Sequence, residues 1–304
     1  MVSQVDNSQF FMNSSAQRAE ILVEALPYIE AFHGKTVVVK YGGSLAKTDL
    51  SNFARDLVLM KYVGIKPVVV HGGGPQIQEY LDTMGIKSDF IAGLRVTSRE
   101  VMEVVEMVLV GKINQQIVTS INRHQMETVG LSGKEGKLIK AKKFDLHKFA
   151  AKHRIDIAED ADLGYVGEVQ EVNPEVIRVL EGKNIIPIIA PIGLGEDGTT
   201  YNINADHVAG KIAGALRAAK LILLTNVDGI LDKKGKLISS VTKKQAEKLI
   251  RNGTINSGMI PKVMCALEAL EEGVSKVHII NGGVKRALIL ELLTDLGIGT
   301  EITL

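Results

Sequence analysis

The sequence predicts an α/β fold built on an open, mainly parallel sheet. Two observations carry that prediction. Strand-like segments that are apolar on both faces alternate with amphipathic helical segments along most of the chain. Two of those strands, "VVVKYGGS" (Val37–Ser44) and "VVVHGGGP" (Val68–Pro75), run straight into glycine clusters. In open parallel sheets ligands collect at the carboxyl ends of strands, where both clusters lie.

The elements follow in order. A leading helix is expected over about Ser15–Phe32, capped by Ser14 or Ser15. Its apolar stripe is Ile21, Leu22, Ala25, Leu26, Ile29 and Phe32, Pro27 should kink it, and Gly34 ends it. The residues before it read as a disordered lead-in, with neither the basic nor the apolar region of a signal peptide. Strand "TVVVKY" precedes a helix over Asp49–Tyr62, and "KPVVVH" precedes a helix over Pro75–Met84. A long helix is expected over Arg99–Ile121. Short strands "ETVGLSG" and "KLIKAKKF" and a strand or hairpin over Gly164–Val172 come next, then a helix over Glu175–Glu181 and one buried strand "NIIPIIAPI". The last third reads as helix Ala205–Ala218, strand "AKLILLTNV", helices Lys243–Asn252 and Ile260–Glu272, strand "KVHIING", helix Ala287–Asp295 and strand "GTEITL". A lobe boundary is expected near the "GLGEDG" loop, Gly193–Gly198.

Composition narrows the function. The chain has 304 residues, 45% hydrophobic, enough for a large core in one or two lobes. A formal net charge of +1 gives no general attraction to nucleic acid or an anionic membrane, and 4% aromatic residues with no Trp leave few stacking platforms for bases. No apolar run reaches the roughly twenty residues of a membrane helix. The single cysteine, Cys265, excludes an internal disulfide and reads as a small buried residue on a helix face, which points to a reducing, cytosolic compartment.

The motifs are weighed against their structural meanings. "GLGEDG" matches a dinucleotide pattern, but "TTYNIN" follows it instead of a helix, so a loop is the better reading. "KYGGS" and "HGGGP" are each strand, glycines, helix: bare backbone N–H groups beside a helix N-terminus suit a phosphoryl group, while either alone is also a plain tight turn. Lys40 in a buried strand needs an anionic partner, or is an edge lysine that snorkels. His71 reads as a packed strand-end residue. Arg95 in "GLRVT" suits a carboxylate. Asn202, Asn204 and Asp206 in "YNINADHVAG" enter a helix at alternate positions; the amides suit an anion, Asn204 suits a helix cap, and Asp206 suits lysine partners. Lys262 in the first turn after Pro261 opposes the helix dipole, which suggests that it serves an anion.

Together "VVVKYGG", "VVVHGGGPQI", "GLRVT", "MEVVEMVLVGKIN", "GYVGEV", "NINADHVAG", "LILLTNVDGIL" and "GMIPKV" resemble, in order and over nearly the whole chain, the amino-acid kinase family. The likeness is to its branch acting on N-acetyl-L-glutamate in arginine biosynthesis. It implies a three-layer αβα sandwich: residues 1–34 as lead-in and oligomerisation helix, 35–195 as the lobe for acetylglutamate and dimerisation, 196–304 as the lobe for ATP and an arginine site. It implies ATP with Mg²⁺ as donor and an acyl phosphate as product. By the same resemblance Lys40 and Lys262 stabilise transition-state charge and Asp206 positions both. Gly42 and Gly43 hold phosphate, and Gly72, Gly73, Gly74, Arg95, Asn202 and Asn204 hold the acceptor. The chain's ends resemble the arginine-inhibited, hexameric branch, with Tyr28, Lys220, His278, Glu291 and Gly297 as effector-site candidates and a PII-type protein as a possible regulator. Asn281–Gly282–Gly283 stands where that branch carries Asp-Gly-Arg. The alternatives are another kinase of the family and a non-catalytic nucleotide or arginine sensor on the same fold.

Overall fold

The computed structural model describes residues 19–43, 50–153, 155–255, 258–295 and 297–304. Val37, Val38 and Val39 are fully buried, and they divide between two cores as alternating strand side chains must. Val37 and Val39 of strand β1 (Thr36–Tyr41) join one cluster; Val38 joins the other. β1 lies between parallel neighbours β2 (Lys66–His71) and β11 (Lys220–Thr225). The full sheet has eight strands in the order β12-β14-β13-β11-β1-β2-β8-β5, with β5 (Thr128–Leu131), β8 (Ile186–Ile189), β12 (Ser240–Thr242), β13 (Val277–Asn281) and β14 (Thr300–Thr303). Only the β13–β14 pairing in it is antiparallel, so the sheet is mainly parallel, as expected.

Helices cover both faces. On one lie α1 (Leu26–Phe32), α2 (Leu50–Tyr62), the long helix that begins as α4 (Arg99–Glu106) and ends as α5 (Gln115–Asn122), and α11 (Ala287–Leu293). On the other lie α7 (Glu175–Gly182), α8 (Ala205–Leu216), α9 (Lys243–Arg251) and α10 (Ile260–Glu271). α3 (Gly74–Met84) leaves β2 with Pro75 in its first turn and ends at Gly85, whose φ of +71° suits a residue without a Cβ. A hairpin, β3 (Phe90–Ile91) with β4 (Leu94–Arg95), follows it.

Three differences from the sequence reading stand out. "NIIPIIAPI" is not one strand: the chain leaves β8 at Ala190–Pro191 and re-enters as β9 (Ile192–Leu194), because Pro191 has no N–H to continue the ladder. β9 joins β6 (Ile139–Lys143), β7 (Val166–Val172) and β10 (Thr200–Ile203) in a small closed sheet. A short helix, α6 (Leu146–His153), follows β6 where none was expected. The long helix is α-helical only at its ends; Met107–Asn114 widens into a π-helix. The leading helix carries the kink expected of Pro27: it is helical over residues 19–24, breaks at Ala25 and resumes as α1. The Ser14 or Ser15 cap and the lead-in lie outside the described residues. Among the described residues, no helix is long and apolar enough to cross a membrane.

Candidate active site

The carboxyl ends of β1 and β2 bring the two glycine clusters into contact. A Cβ on Gly43 would lie 2.8 Å from Gly73 N, and one on Gly73 would lie 2.4 Å from Ile113 Cδ1 of the π segment. Both separations are closer than any real side chain reaches, so the turns pack backbone to backbone. The Gly72 N–H donates to Tyr41 O (2.9 Å), and Gln76 Nε2 donates to Gly43 O (2.9 Å), tying one turn to the other.

Lys40 points from the end of β1 to Asp206 in the first turn of α8, with Nζ 2.9 Å from Oδ1. Lys262, in the first turn of α10 beside Pro261, reaches the other oxygen, Oδ2, at 2.7 Å. Lys40 and Asp206 are buried. Burial alone pushes the Asp206 carboxyl up; the charges of Lys40 and Lys262 and their hydrogen bonds outweigh it and hold the group well below the usual carboxylate range. The result is one carboxylate clamped between two ammonium groups, leaving a net positive charge beside the glycine turns. The Cys265 thiol is buried and donates to Asp206 O (2.8 Å); burial pushes its pKa up, so it is inert packing, as expected.

A cavity of about 570 Å³ opens beside this cluster. Gly72, Gly73, Gly74, Arg95, Asn202 and Asn204 all line it, with Phe90, Leu109, Val166 and Pro191 supplying apolar wall. The N-termini of α3 and α8 both border it, so two positive dipole ends face its contents. Arg95 stacks on Phe90 (4.6 Å to the ring centroid), and its Nη1 donates to Gln78 Oε1 at 2.6 Å. Asn202 Nδ2 donates to Thr97 Oγ1 (3.3 Å), and that hydroxyl donates to Arg95 O (3.0 Å). Asn204 caps α8: its Oδ1 accepts from the N–H groups of Asp206 (2.9 Å) and His207 (3.2 Å). That leaves the Asn204 amide nitrogen, not its oxygen, for any ligand. Sequence reasoning passed over Gln76, Gln78 and Thr97. A polar side chain in the first turn of a helix that leaves a glycine cluster is the signal that points to Gln76 and Gln78.

His71 is fully buried, and burial lowers its pKa to about 4, so it packs as a neutral ring at the strand end. A second buried ionic cluster lies at the edge of β11 and β13. Glu291 accepts from Lys220 Nζ (3.1 Å), from the Ile298 N–H (3.1 Å) and from His278 Nδ1. Burial raises the Glu291 carboxyl; His278 and Lys220 more than reverse this, and the group sits below its ordinary value. Gly297 borders the same carboxylate, with room for a Cβ only 4.0 Å from Oε2. Lys220, His278, Glu291 and Gly297 are therefore together. Tyr28 packs at the margin of the first core cluster, and its helix reaches the site through Phe32, whose ring lies 5.2 Å from Lys220 Nζ. Asn281, at the carboxyl end of β13, donates its amide to the Asp228 carboxylate (Oδ1, 2.8 Å).

Among the described residues, no group of three or more His, Cys, Asp or Glu is arranged to hold a metal ion. The central carboxylate, Asp206, is already ion-paired with two lysines. The described side chains thus offer no carboxylate cage for a metal ion.

Residues 35–281 match the amino acid kinase family. The acetylglutamate kinase of Syntrophobacter fumaroxidans is 57% identical over 288 residues, which cover 94% of this chain and 96% of that one. The acetylglutamate kinase of Aquifex aeolicus is 54% identical, covering 96% of this chain and 100% of that one. Among solved structures, N-acetylglutamate synthase from Neisseria gonorrhoeae complexed with coenzyme A and N-acetyl-glutamate superposes with a TM-score of 0.82 at 26% identity. It covers 94% of this chain, which spans 63% of that longer one.

Proposed function

We propose, starting from the fact that the chain belongs to the amino acid kinase family, that it transfers the γ-phosphoryl group of ATP to the side-chain carboxylate of N-acetyl-L-glutamate. The product is N-acetyl-L-glutamyl 5-phosphate, formed in the second step of arginine biosynthesis. The observation that carries this reading is identity above one half, over nearly the whole chain, to acetylglutamate kinases, in a chain whose Lys40–Asp206–Lys262 cluster adjoins an arginine-bordered cavity of about 570 Å³.

The chemistry asks for alignment and charge neutralisation, which this site's residue types supply. The acceptor carboxylate is ionised at neutral pH, so it attacks without a general base, and a neutral His71 is no loss. In this reading Lys40 neutralises charge on the transferring group and Lys262 does so on the leaving side. Asp206 holds both ammoniums at fixed positions. Backbone N–H groups of Gly42, Gly43, Gly73 and Gly74 line the phosphoryl path, the Gly72 N–H being already bonded to Tyr41 O, and Arg95, Asn202 and Asn204 hold the acceptor. Mg²⁺ would be held chiefly by the phosphate oxygens of ATP and by water, and would supply charge neutralisation on the phosphates. A non-catalytic sensor is disfavoured because such a protein has no need to keep both lysines and their aspartate.

We further infer inhibition by L-arginine, a hexameric assembly built through the leading helix, and residence in the cytoplasm. The Lys220–Glu291–His278 cluster supports the effector site, and Asn281–Gly282–Gly283 in place of Asp-Gly-Arg leaves the strength of arginine inhibition to the assay below. The two-lobe division, 35–195 for the acceptor and dimerisation and 196–304 for ATP, belongs to the same reading, as does a PII-type regulator. The test is a hydroxylamine trap for acyl phosphate across a panel of carboxylate acceptors with MgATP, with and without arginine. Hydroxamate from N-acetyl-L-glutamate, diminished by arginine, is expected. Product from aspartate or glutamate alone overturns the substrate assignment.

A further inference from the structure

We propose that Asn114 and His71 form a positioning pair for this transfer: the Asn114 amide fixes the tautomer of His71, and His71 Nδ1–H then holds the Gly72 carbonyl. The proposal rests on the function proposed above. It starts from a buried amide with one unsatisfied end. Asn114 closes the π segment and is 1% exposed. Its Nδ2 lies 2.9 Å from Ile188 O, 3.3 Å from Leu131 O and 3.2 Å from His71 Nε2. Its Oδ1 is buried without a hydrogen-bond partner and sits over Gly130, where a Cβ would approach within 2.0 Å.

Leaving that oxygen unsatisfied costs free energy, and rotating the amide costs more. A flipped Asn114 would aim its oxygen at two main-chain carbonyl oxygens and lose both donations. The carbonyls of β5 and β8 therefore decide that the NH₂ faces His71. The NH₂ has two hydrogens for three acceptors, so one is shared between the longer contacts; because it offers no lone pair, an Nε2–H would meet it donor to donor, and His71 Nε2 is the accepting nitrogen of the neutral ring. The single ring proton is then on Nδ1, which lies 3.2 Å from Gly72 O. The peptide that follows is planar and trans, so fixing the Gly72 carbonyl also fixes the opposite direction of the Gly73 N–H. Gly73 N lies on the Gly43 side, between the two glycine turns.

The π segment makes the arrangement possible. Leu109 and Ile113 sit directly against Gly73, at 2.6 and 2.4 Å from where a Cβ would be, while Asn114 turns inward to the strands. Wider π turns recur where a helix must place a side chain at a functional site. Asn114 and His71 touch neither substrate in this account. They act through the orientation of one peptide.

Long-range ¹H–¹⁵N correlation spectra of ¹⁵N-histidine-labelled protein at about pH 7 read the tautomer directly. The His71 signals, assigned by their loss in His71→Asn, should show an Nδ1–H neutral ring. An Nε2–H ring, or a charged one, overturns the pair. In the hydroxamate assay His71→Phe, which fills the space without a donor, should lower kcat roughly 10- to 100-fold with KM for ATP within about threefold. His71→Asn keeps a donor near the Nδ1 position and should recover most of that loss. Equal loss in both variants also overturns the pair. Wild-type protein that forms no hydroxamate overturns the reading of function, and with it the role but not the tautomer; active wild type with an Nε2–H ring overturns the pair alone.

Discussion

A lysine inside a buried strand demands an anion, and Lys40 has Asp206 at 2.9 Å. The need was legible in the sequence; the partner was not deducible from spacing, because it lies on a helix a hundred and more residues away, as does Lys262. Resemblance supplied the pairing, and the geometry agrees with it. Two outcomes follow for single residues. Lys40→Ala and Lys262→Ala should each lower turnover by about 10²-fold or more while the circular dichroism of the fold is retained; a variant with turnover near wild type removes that lysine from the chemistry. Asp206→Asn leaves two ammoniums facing a neutral amide and should cost on the order of 3 kcal/mol at neutral pH. The carboxyl is held below its unfolded value of 3.8, so its contribution is fully present above that value and fades as the pH falls below it. Urea melts of the two proteins should therefore differ by a constant amount from about pH 8 to about pH 5 and converge in stronger acid. A gap that widens in acid would contradict this assignment of charge.

At the scale of elements, period and punctuation were readable and tertiary routing was not. β1 and β2 announced themselves through β-branched runs and β11 through a leucine-rich run, all buried on both faces, and Gly74–Pro75 marked the start of α3. The split of "NIIPIIAPI" into β8 and β9 was hidden, since an apolar run reads alike whether it serves one sheet or two. The π segment was hidden for a related reason: apolar spacing over Met107–Asn114 fits a 3.6-residue period well enough to mask one wider turn. What that segment presses against can be tested. Gly73→Ala introduces a methyl at 2.4 Å from Ile113 Cδ1 and 2.6 Å from Leu109 Cδ2. Overpacking of this kind costs about 1–3 kcal/mol, and relief by backbone shift moves the turn. Calorimetry should show a lower Tm, and the hydroxamate assay should show a kcat loss larger than the Tm change explains at the assay temperature. A Gly73→Ala protein with wild-type Tm and kcat would mean that the segment yields freely.

For the whole molecule, the leading helix is the part whose apolar surface the single chain does not use. Tyr28, Ile29 and Phe32 pack onto the first core cluster, which anchors the helix's second half. Ile21, Leu22, Val23 and Leu26 remain 63%, 72%, 55% and 50% exposed. Four adjacent large apolar side chains in water carry a cost that a neighbouring copy removes, at roughly 25 cal/mol per Å² covered. The segment also runs beside the Lys220–Glu291–His278 cluster through Phe32, so the proposed assembly surface and the proposed effector site share one helix. Removal of residues 1–32 should reduce the mass measured by light scattering from a hexamer to a dimer, since the 35–195 lobe keeps its own dimerising surface in this account. The same deletion should raise the arginine concentration needed for half-inhibition, because Tyr28 and Phe32 leave with the helix. A shortened chain that remains hexameric would put the assembly contacts elsewhere. A shortened chain that dissociates yet responds to arginine as before would separate the two roles and confine the effector site to Lys220, His278 and Glu291.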